Sequence, residues 1–395
     1  MIPFPSHFHG DRQQNPDSGT RYDMPLLLSV GILLFVGMIL MMSSSSAIAY
    51  ARDGHTLSIF LKHMARVGIG LLFMAGFAFY DYHHLKRIAW PLLSAILVLL
   101  IVVLFWPLKD GATSHRQLFW GPLALQPAEL AKFALILFLA YQLSLRHSTP
   151  GESAERTFLI RALLATAVVV GLISLETNIS MAVLILVSAV SLLFLGGTSL
   201  KTLGLAALAS SAAMILVIQV VPYAQGRLSG YVAGLLQPSQ TCFHTRQSLI
   251  GLGKGGLWGD GLGQSTWAHF RLPIPYKDSI FCILGEEAGF VGCIALLAVF
   301  AAFLWRGMHI ARRAPDSFGY HLACGLLVVL ACTFFINVGV TVGLLPPTGQ
   351  PLPFVSYGGS SLVVSLACVG ILLNISRQAT LSTEYSPEAY DSECT

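Results

Sequence analysis

The sequence predicts an all-α integral membrane protein that crosses the bilayer about ten times, and three observations carry that prediction. Of its 395 residues, 55% are hydrophobic and only 11% charged, where a soluble domain has about 25% charged residues. The mean hydropathy is +0.71. Charge is also missing in long blocks: Met24–Ala51, Trp90–Leu108, Thr177–Leu200 and Thr202–Gly226 hold no Asp, Glu, Lys or Arg. At about 1.5 Å per helical residue each block crosses about 30 Å of hydrocarbon. Ser317–Ser376 is likewise uncharged and accommodates two spans with their connection. A transmembrane barrel is excluded, because the apolar residues run in continuous blocks and not in alternating strands of about ten residues.

A polar tail, 1–22, precedes the first span, 25–50. Ser46-Ala47-Ile48-Ala49 resembles a signal cleavage site, but the apolar run before it, Met24–Met42, exceeds the about 7–15 residues of a signal peptide. The segment ahead of that run carries Asp11, Asp17 and Asp23 against Arg12 and Arg21, where a signal is basic, so the span is expected to be retained. Further spans are expected at 62–80, 88–108, 126–145, 158–175, 177–197, 200–222, 280–305, 320–344 and 354–376. With the N-terminus inside, Lys86, Arg87, Arg146, Arg156, Arg161, Lys201, Arg306, Arg312, Arg313 and Arg377 face the cytoplasm, against Arg52, Lys62, Lys109 and Arg116 in the short outer connections. The positive-inside rule therefore predicts N-in and C-in. A single membrane domain, 23–380, is then followed by a cytoplasmic tail, 381–395. The connection 223–279, between spans seven and eight, becomes a long extracytoplasmic loop, and structureless loops of that size are uncommon without a function.

The net charge of +4 includes no basic tract, which argues against a nucleic-acid partner. The seven cysteines, five of them inside spans, show no disulfide framework and no metal-type pair. His83, His84 and His115 lack partners at metal-ligand spacing and read as solvated loop residues.

Polar groups that a bilayer tolerates badly are the candidate site. Gln126-Pro127-Ala128-Glu129-Leu130-Ala131-Lys132 opens span four. Pro127 suits the first helical position, and Glu129 and Lys132, three apart, share a face. Each charge would cost about 3 kcal/mol at the membrane centre. The pair reads either as an internal brace or, with Arg116, as a seat for an anionic lipid headgroup near the positive end of the helix. Tyr276-Lys277-Asp278-Ser279 leads into span eight, where Asp278 reads as a helix cap or as a catalytic base. Glu286 and Glu287, within that span, point about 100° apart, so at most one shares a sector with Asp278. Gly251-Leu252-Gly253-Lys254-Gly255-Gly256 superficially suggests a phosphate loop, but the βαβ unit that such a loop needs is missing. Pro346 to Ser361, with Ser356 among them, cannot continue a helix. At membrane depth such backbone survives only against protein or a wet cavity, so the segment is either a stiff outer hairpin or the rigid wall of a substrate site.

Together these segments resemble the SEDS family (shape, elongation, division and sporulation), which includes FtsW, RodA and SpoVE. The resemblance rests on Arg116, residues 126–132, Gln247–Gly251 with the glycines after it, Lys277–Phe281 through Gly285–Phe290, and Gly343–Ser361, all in family order. It implies a peptidoglycan glycosyltransferase that polymerises lipid II on the outer face of the bacterial cytoplasmic membrane. Asp278 is the implied catalytic residue, and Arg116, Gln126, Glu129, Lys132, Glu286 and Ser356 are the implied substrate contacts. A carboxylate there either takes the proton of the attacking 4-hydroxyl or holds a divalent cation, Mg²⁺ or Mn²⁺. Lys132 and Arg116 would stabilise the departing polyprenyl diphosphate.

The implied partners are lipid II, a class B penicillin-binding transpeptidase, and membrane proteins of the divisome or elongasome. The first span and Leu193–Gly197 lean towards FtsW and the septum, while Pro351–Phe354 suits RodA and the side wall equally. A lipid II flippase and an idle scaffold are competing readings, the former weakened because no internal repeat is visible. The chain departs from the family pattern at Thr113 and Gln117, where Gly and Trp are common. It departs again at Glu176-Thr177-Asn178-Ile179-Ser180, in place of Glu/Gln-Pro-Asp-Leu/Phe-Gly, and at Ser279, in place of Phe.

Overall fold

The computed structural model of the chain describes residues 22–106, 116–120, 123–148, 151–220, 222–237, 242–265 and 276–384. Thr113, His115, Cys394, most of both tails and residues 266–275 of the long connection lie outside the described residues. The architecture is almost wholly helical. Helix α1 (Met24–Asp53) begins where the Asp23 carboxylate accepts from the Leu26 N–H at 3.0 Å, and it stops at Gly54, whose φ of 71° ends the helix in the left-handed region. Then come α2 (Ser58–Phe79), α3 (His83–Phe105), an antiparallel hairpin of β1 (Leu118–Trp120) and β2 (Leu123–Leu125), α4 (Pro127–Ser148), α5 (Glu152–Leu175), α6 (Ile179–Leu195) and α7 (Leu200–Val220). The chain continues through α8 (Pro222–Leu236), α9 (Phe243–Lys254), α10 (Ile280–Arg312), α11 (Ser317–Thr341) and α12 (Gly359–Glu384).

Eight of these helices, α1–α5 and α10–α12, are long and apolar enough to cross a membrane, and α6 and Leu200–Ala212 of α7 are shorter apolar helices. Each expected span therefore falls on a helix. Three expectations need correction. The last helix begins at Gly359 and not at 354, because Pro351 and Pro353 lead into a turn over 353–355 in which Phe354 takes φ 65°. The eighth expected span runs on to Arg312. The connection 223–279 is not structureless, since it contains α8 and α9.

Helix α4 is the centre of the bundle. From Ala134 to Ala140 every side chain is at most 2% exposed, as expected of a helix that is apolar all round. On α2, by contrast, Leu61, Leu72 and Phe73 are exposed, the signature of a lipid-facing surface. Ion pairs gather several connections at one end of the bundle. Asp23 meets Arg306 at 2.9 Å, Lys86 meets Asp316 at 2.8 Å, and Arg146 meets Glu155 at 2.5 Å while donating to the Gly196 carbonyl at 3.1 Å.

Helix α10 is broken at Gly289, which has φ 66° and ψ −164°. The break strands backbone groups, and the glycine-rich segment after α9 satisfies them. Asp260 and Gly261 donate to the carbonyls of Glu286 and Glu287 at 2.9 and 3.0 Å, and Phe290 and Val291 donate to those of Gly256 and Leu257 at 2.9 and 3.2 Å. The approach is too close for side chains: a Cβ on Gly255 would stand 1.9 Å from the Gly285 carbonyl oxygen, and one on Gly259 2.2 Å from that of Glu287. These glycines serve backbone docking, which accounts for them without a phosphate.

Candidate active site

At the other end of the bundle, the first turn of α4, the α5–α6 turn, the residues before α10 and the segment Pro346–Gln350 surround a cavity of about 710 Å³. Arg116, Gln126, Glu129, Arg227, Lys277 and Asp278 line its polar part. Its apolar part is a trough between α6, which contributes Ile179, Val183 and Val187 at four-residue steps, and α11, which contributes Cys332, Phe335 and Ile336. Phe335 is 55% exposed, so the trough opens on the outer surface of the bundle.

Asp278 sits in the turn before α10. Ser279, not Asp278, is the N-cap residue, and no side chain caps the helix, so the capping role drops out. One carboxylate oxygen, Oδ1, is buried without a hydrogen-bond partner. Burial pushes the Asp278 pKa up, and the positive charges of Lys277, His244 and Arg227 oppose that rise. The Asn337 amide donates to the Asp278 carbonyl at 3.0 Å and to the Gln350 carbonyl at 2.7 Å. His244 Nε2 lies 3.1 Å from Ser279 Oγ.

Across the cavity, Arg116 donates through Nη2 to the Thr177 carbonyl at 2.6 Å. Thr177 has φ 58°, a value closed to proline, whose ring holds φ near −65°. The departure from the usual Pro is thus built into this turn. Glu176, beneath it, is 1% exposed with neither carboxylate oxygen hydrogen-bonded. Burial raises its pKa to about 8 against the pull of Arg116. Glu129 and Lys132 form a buried ion pair at 2.7 Å; Glu129 reaches the cavity and Lys132 stands behind it.

The cavity thus unites Arg116, Gln126, Glu129 and Asp278, but not three other expected contacts: Lys132, behind Glu129, and Glu286 and Ser356. Glu286 pairs with Lys254 at 3.0 Å and accepts from Ser265, and Lys254 also meets Asp260 at 2.8 Å. Its neighbour Glu287 accepts from Ser43 of α1. Ser356 Oγ accepts from the Leu352 N–H at 2.9 Å and closes a turn. Both Glu286 and Ser356 are spent on internal hydrogen bonds and do not line the cavity. Arg227, Asn337 and Gln350 are cavity-wall or supporting residues that the sequence reading missed. Arg227, which donates to the Pro347 carbonyl at 3.1 Å, had one signal, as the first charge after the uncharged run Thr202–Gly226.

The expected divalent cation can be tested against the donors present. Among the described residues no three His, Cys, Asp or Glu side chains converge, so no cage of protein ligands is formed. Asp278 offers a single carboxylate with an unpartnered oxygen, which fits Mg²⁺ held by one carboxylate and substrate phosphates. Asp278 is therefore the residue that would hold such an ion, which when bound would neutralise developing charge on a phosphate.

Comparison with known proteins gives a consistent result. The family model described as "Cell cycle protein" (FtsW, RodA, SpoVE) matches residues 24–381. The chain is 35% identical over 360 residues to the probable peptidoglycan glycosyltransferase FtsW of Geobacter sp. (strain M18), covering 90% of this chain and 96% of that one. It is 33% identical over 361 residues to the stage V sporulation protein E of Bacillus subtilis (strain 168), covering 91% and 98%. Among solved structures, a chain from a study of polymerization and crosslinking by a peptidoglycan synthase complex superimposes with TM-score 0.73 at 26% identity, covering 91% of this chain and 98% of that one. The rod shape determining protein RodA of Thermus thermophilus does so with TM-score 0.67 at 25% identity, covering 91% and 97%.

Proposed function

This chain belongs to the FtsW/RodA/SpoVE family of cell cycle proteins, and from that premise we propose that it is a peptidoglycan glycosyltransferase that polymerises lipid II. The observation that carries the proposal is the two-part cavity: a carboxylate and several cations at one end, continuous with an apolar trough that opens sideways. That division matches a substrate made of sugars, a diphosphate and a polyprenyl tail.

In the proposed reaction the acceptor's 4-hydroxyl oxygen bonds to the anomeric carbon of the donor while its proton passes to Asp278. The bond from that carbon to the diphosphate oxygen breaks, and its electron pair leaves with the polyprenyl diphosphate. A carboxylate with a raised pKa is the better proton acceptor near neutral pH. Arg116, Arg227 and Lys277 meet the charge that develops on the leaving group. The buried Glu129–Lys132 pair braces the first turn of α4 under the site.

The cavity end of the bundle is extracytoplasmic and both tails of the single membrane domain are cytoplasmic, a reading supported by the positive-inside count. The protein then works in the bacterial cytoplasmic membrane, beside a class B penicillin-binding transpeptidase and other division proteins. Support for such a partner comes from the structural relative drawn from a synthase complex, and support for a septal role from relatives named FtsW.

The test is glycan synthesis from purified lipid II, with and without EDTA. Polymer from the wild-type protein and none from folded Asp278→Asn supports the proposal. Polymer from Asp278→Asn removes Asp278 from the chemistry. Loss on EDTA treatment assigns it to a cation and not to proton transfer alone.

A further inference from the structure

On the wall of the cavity around Asp278, which Lys277 and Arg227 also line, several buried oxygens lack a hydrogen-bond donor. Asp278 Oδ1, Thr348 Oγ1 and Gln350 Oε1, on residues that line the cavity, are buried with no hydrogen-bond partner among the described residues, as is Oδ1 of Asn337, which bonds the main chain of two of them. The opposite wall carries Arg116, whose guanidinium already reaches Thr177. Buried polar atoms without partners are unfavourable and uncommon, so several together on the wall of a cavity point to a ligand that supplies what they lack.

Gln350 is the most informative of them. It is 3% exposed, lines the cavity and follows Gly349, whose backbone lies so close to the catalytic carboxylate that a Cβ there would stand 3.4 Å from Asp278 Oδ2. Its main chain is locked to that of Asp278, because the one Asn337 amide, itself 2% exposed, donates to both carbonyls. The main chain of Gln350 is thus held beside the proton acceptor, and its buried carboxamide oxygen stays unused in a residue that lines the same cavity. A diphosphate offers that oxygen nothing, since phosphate oxygens only accept, whereas a sugar ring offers O–H donors.

Resting on the polymerase reading above, we propose that Gln350 is a specificity residue of the acceptor subsite: its carboxamide accepts a hydrogen bond from a ring hydroxyl next to the nucleophilic one and so turns the nucleophile toward Asp278. The side chain contributes nothing to the Asn337 clamp, which uses only main-chain oxygens, so its replacement leaves the scaffold intact.

The experiment compares wild-type protein, Gln350→Leu and Gln350→Asn in detergent, using labelled lipid II as donor and two short-chain lipid II analogues as acceptors. One analogue is intact; the other lacks the ring hydroxyl beside the nucleophilic one. Loss of one neutral hydrogen bond corresponds to about tenfold. The wild type should show an acceptor KM about tenfold higher for the deoxy analogue. Gln350→Leu should show that rise with the intact analogue and no further rise with the deoxy one, its donor KM unchanged. An equal deoxy penalty in wild type and Gln350→Leu overturns the proposal, as does a change confined to the donor. If Gln350→Leu does not fold, the same comparison is read on Gln350→Asn, whose amide is one carbon too short. Equilibrium binding of the two analogues is measured in parallel. Should the wild type make no glycan, the polymerase reading fails by itself, and the binding ratio still decides whether Gln350 reads the hydroxyl.

Discussion

Two regions of this protein insert polar, non-helical backbone into an otherwise apolar bundle, and they differ in how far they satisfy their polar groups. At the break in α10, the carbonyls of Glu286 and Glu287 are taken by Asp260 and Gly261, the Glu286 carboxylate by Lys254 and Ser265, and Glu287 Oε1 by Ser43, which leaves Glu287 Oε2 as the one oxygen of the two carboxylates without a donor. At the cavity, Asp278, Thr348, Gln350 and Asn337 each keep an oxygen without a donor. The sequence makes the two regions look alike, since both are rich in glycine and carboxylates or amides. Satisfaction separates them: a paired polar cluster holds the fold together, and an unpaired one beside a cavity awaits a ligand. The comparison makes Glu286 a structural residue and Asp278 a chemical one.

The largest expected effect breaks the comparison at the cavity. Asp278→Asn is nearly isosteric and removes the proton acceptor, so lipid II polymerisation should fall by about 10²–10⁴-fold. The thermal midpoint should stay near that of wild type, because the Oδ1 atom makes no hydrogen bond to lose. Next comes the paired side. Lys132→Met strands the buried Glu129 carboxylate and should cost about 3–5 kcal/mol of stability, read as a large drop in the unfolding midpoint in detergent. Glu286→Gln keeps the Ser265 contact but weakens that to Lys254, which has Asp260 in reserve. It should cost about 1–3 kcal/mol and leave the lipid II KM of the folded fraction unchanged. A raised KM with an unchanged midpoint would show that Glu286 belongs to the substrate site after all.

How far the sequence could be read follows the same division. Charge-free blocks locate helices because hydrocarbon penalises charge wherever it faces, so the expected spans fall on helices. Arg116, Gln126, Glu129 and Asp278 could be singled out because polar residues at span ends are conspicuous, and the fold brings all four to one cavity. Glu286 and Ser356 are contacts that the resemblance implies, and a motif does not say which of its side chains the fold spends on its own hydrogen bonds. The break at Gly289 is illegible because an apolar run follows it directly and one glycine costs a helix only about 1 kcal/mol. Asn337 was hidden for a similar reason. It is an uncharged residue in the middle of an apolar run, and its two bonds link elements far apart in sequence.

Glu176 is the sharpest test, because it fits neither side of the comparison: its carboxylate oxygens are buried and unpaired, and it is not among the residues that line the cavity. The fold resolves this by holding it neutral. Burial lifts its pKa from 4.5 to about 8, with Arg116 pulling the other way. A raised acid pKa means that between these values the folded state keeps a proton that the unfolded state has released. The stabilisation is therefore complete below pH 4.5, declines as pH rises through the window, and is gone above about 8. The slope across the window can reach about 1.4 kcal/mol per pH unit. Glu176→Gln, which stays neutral at every pH, should flatten that part of the stability profile and leave the alkaline limit no lower than wild type. Unfolding midpoints collected from pH 5 to 9 decide the matter. An unchanged slope in the variant would mean that Glu176 is ionised in the folded protein and paired with Arg116, which would move it to the satisfied side of the comparison.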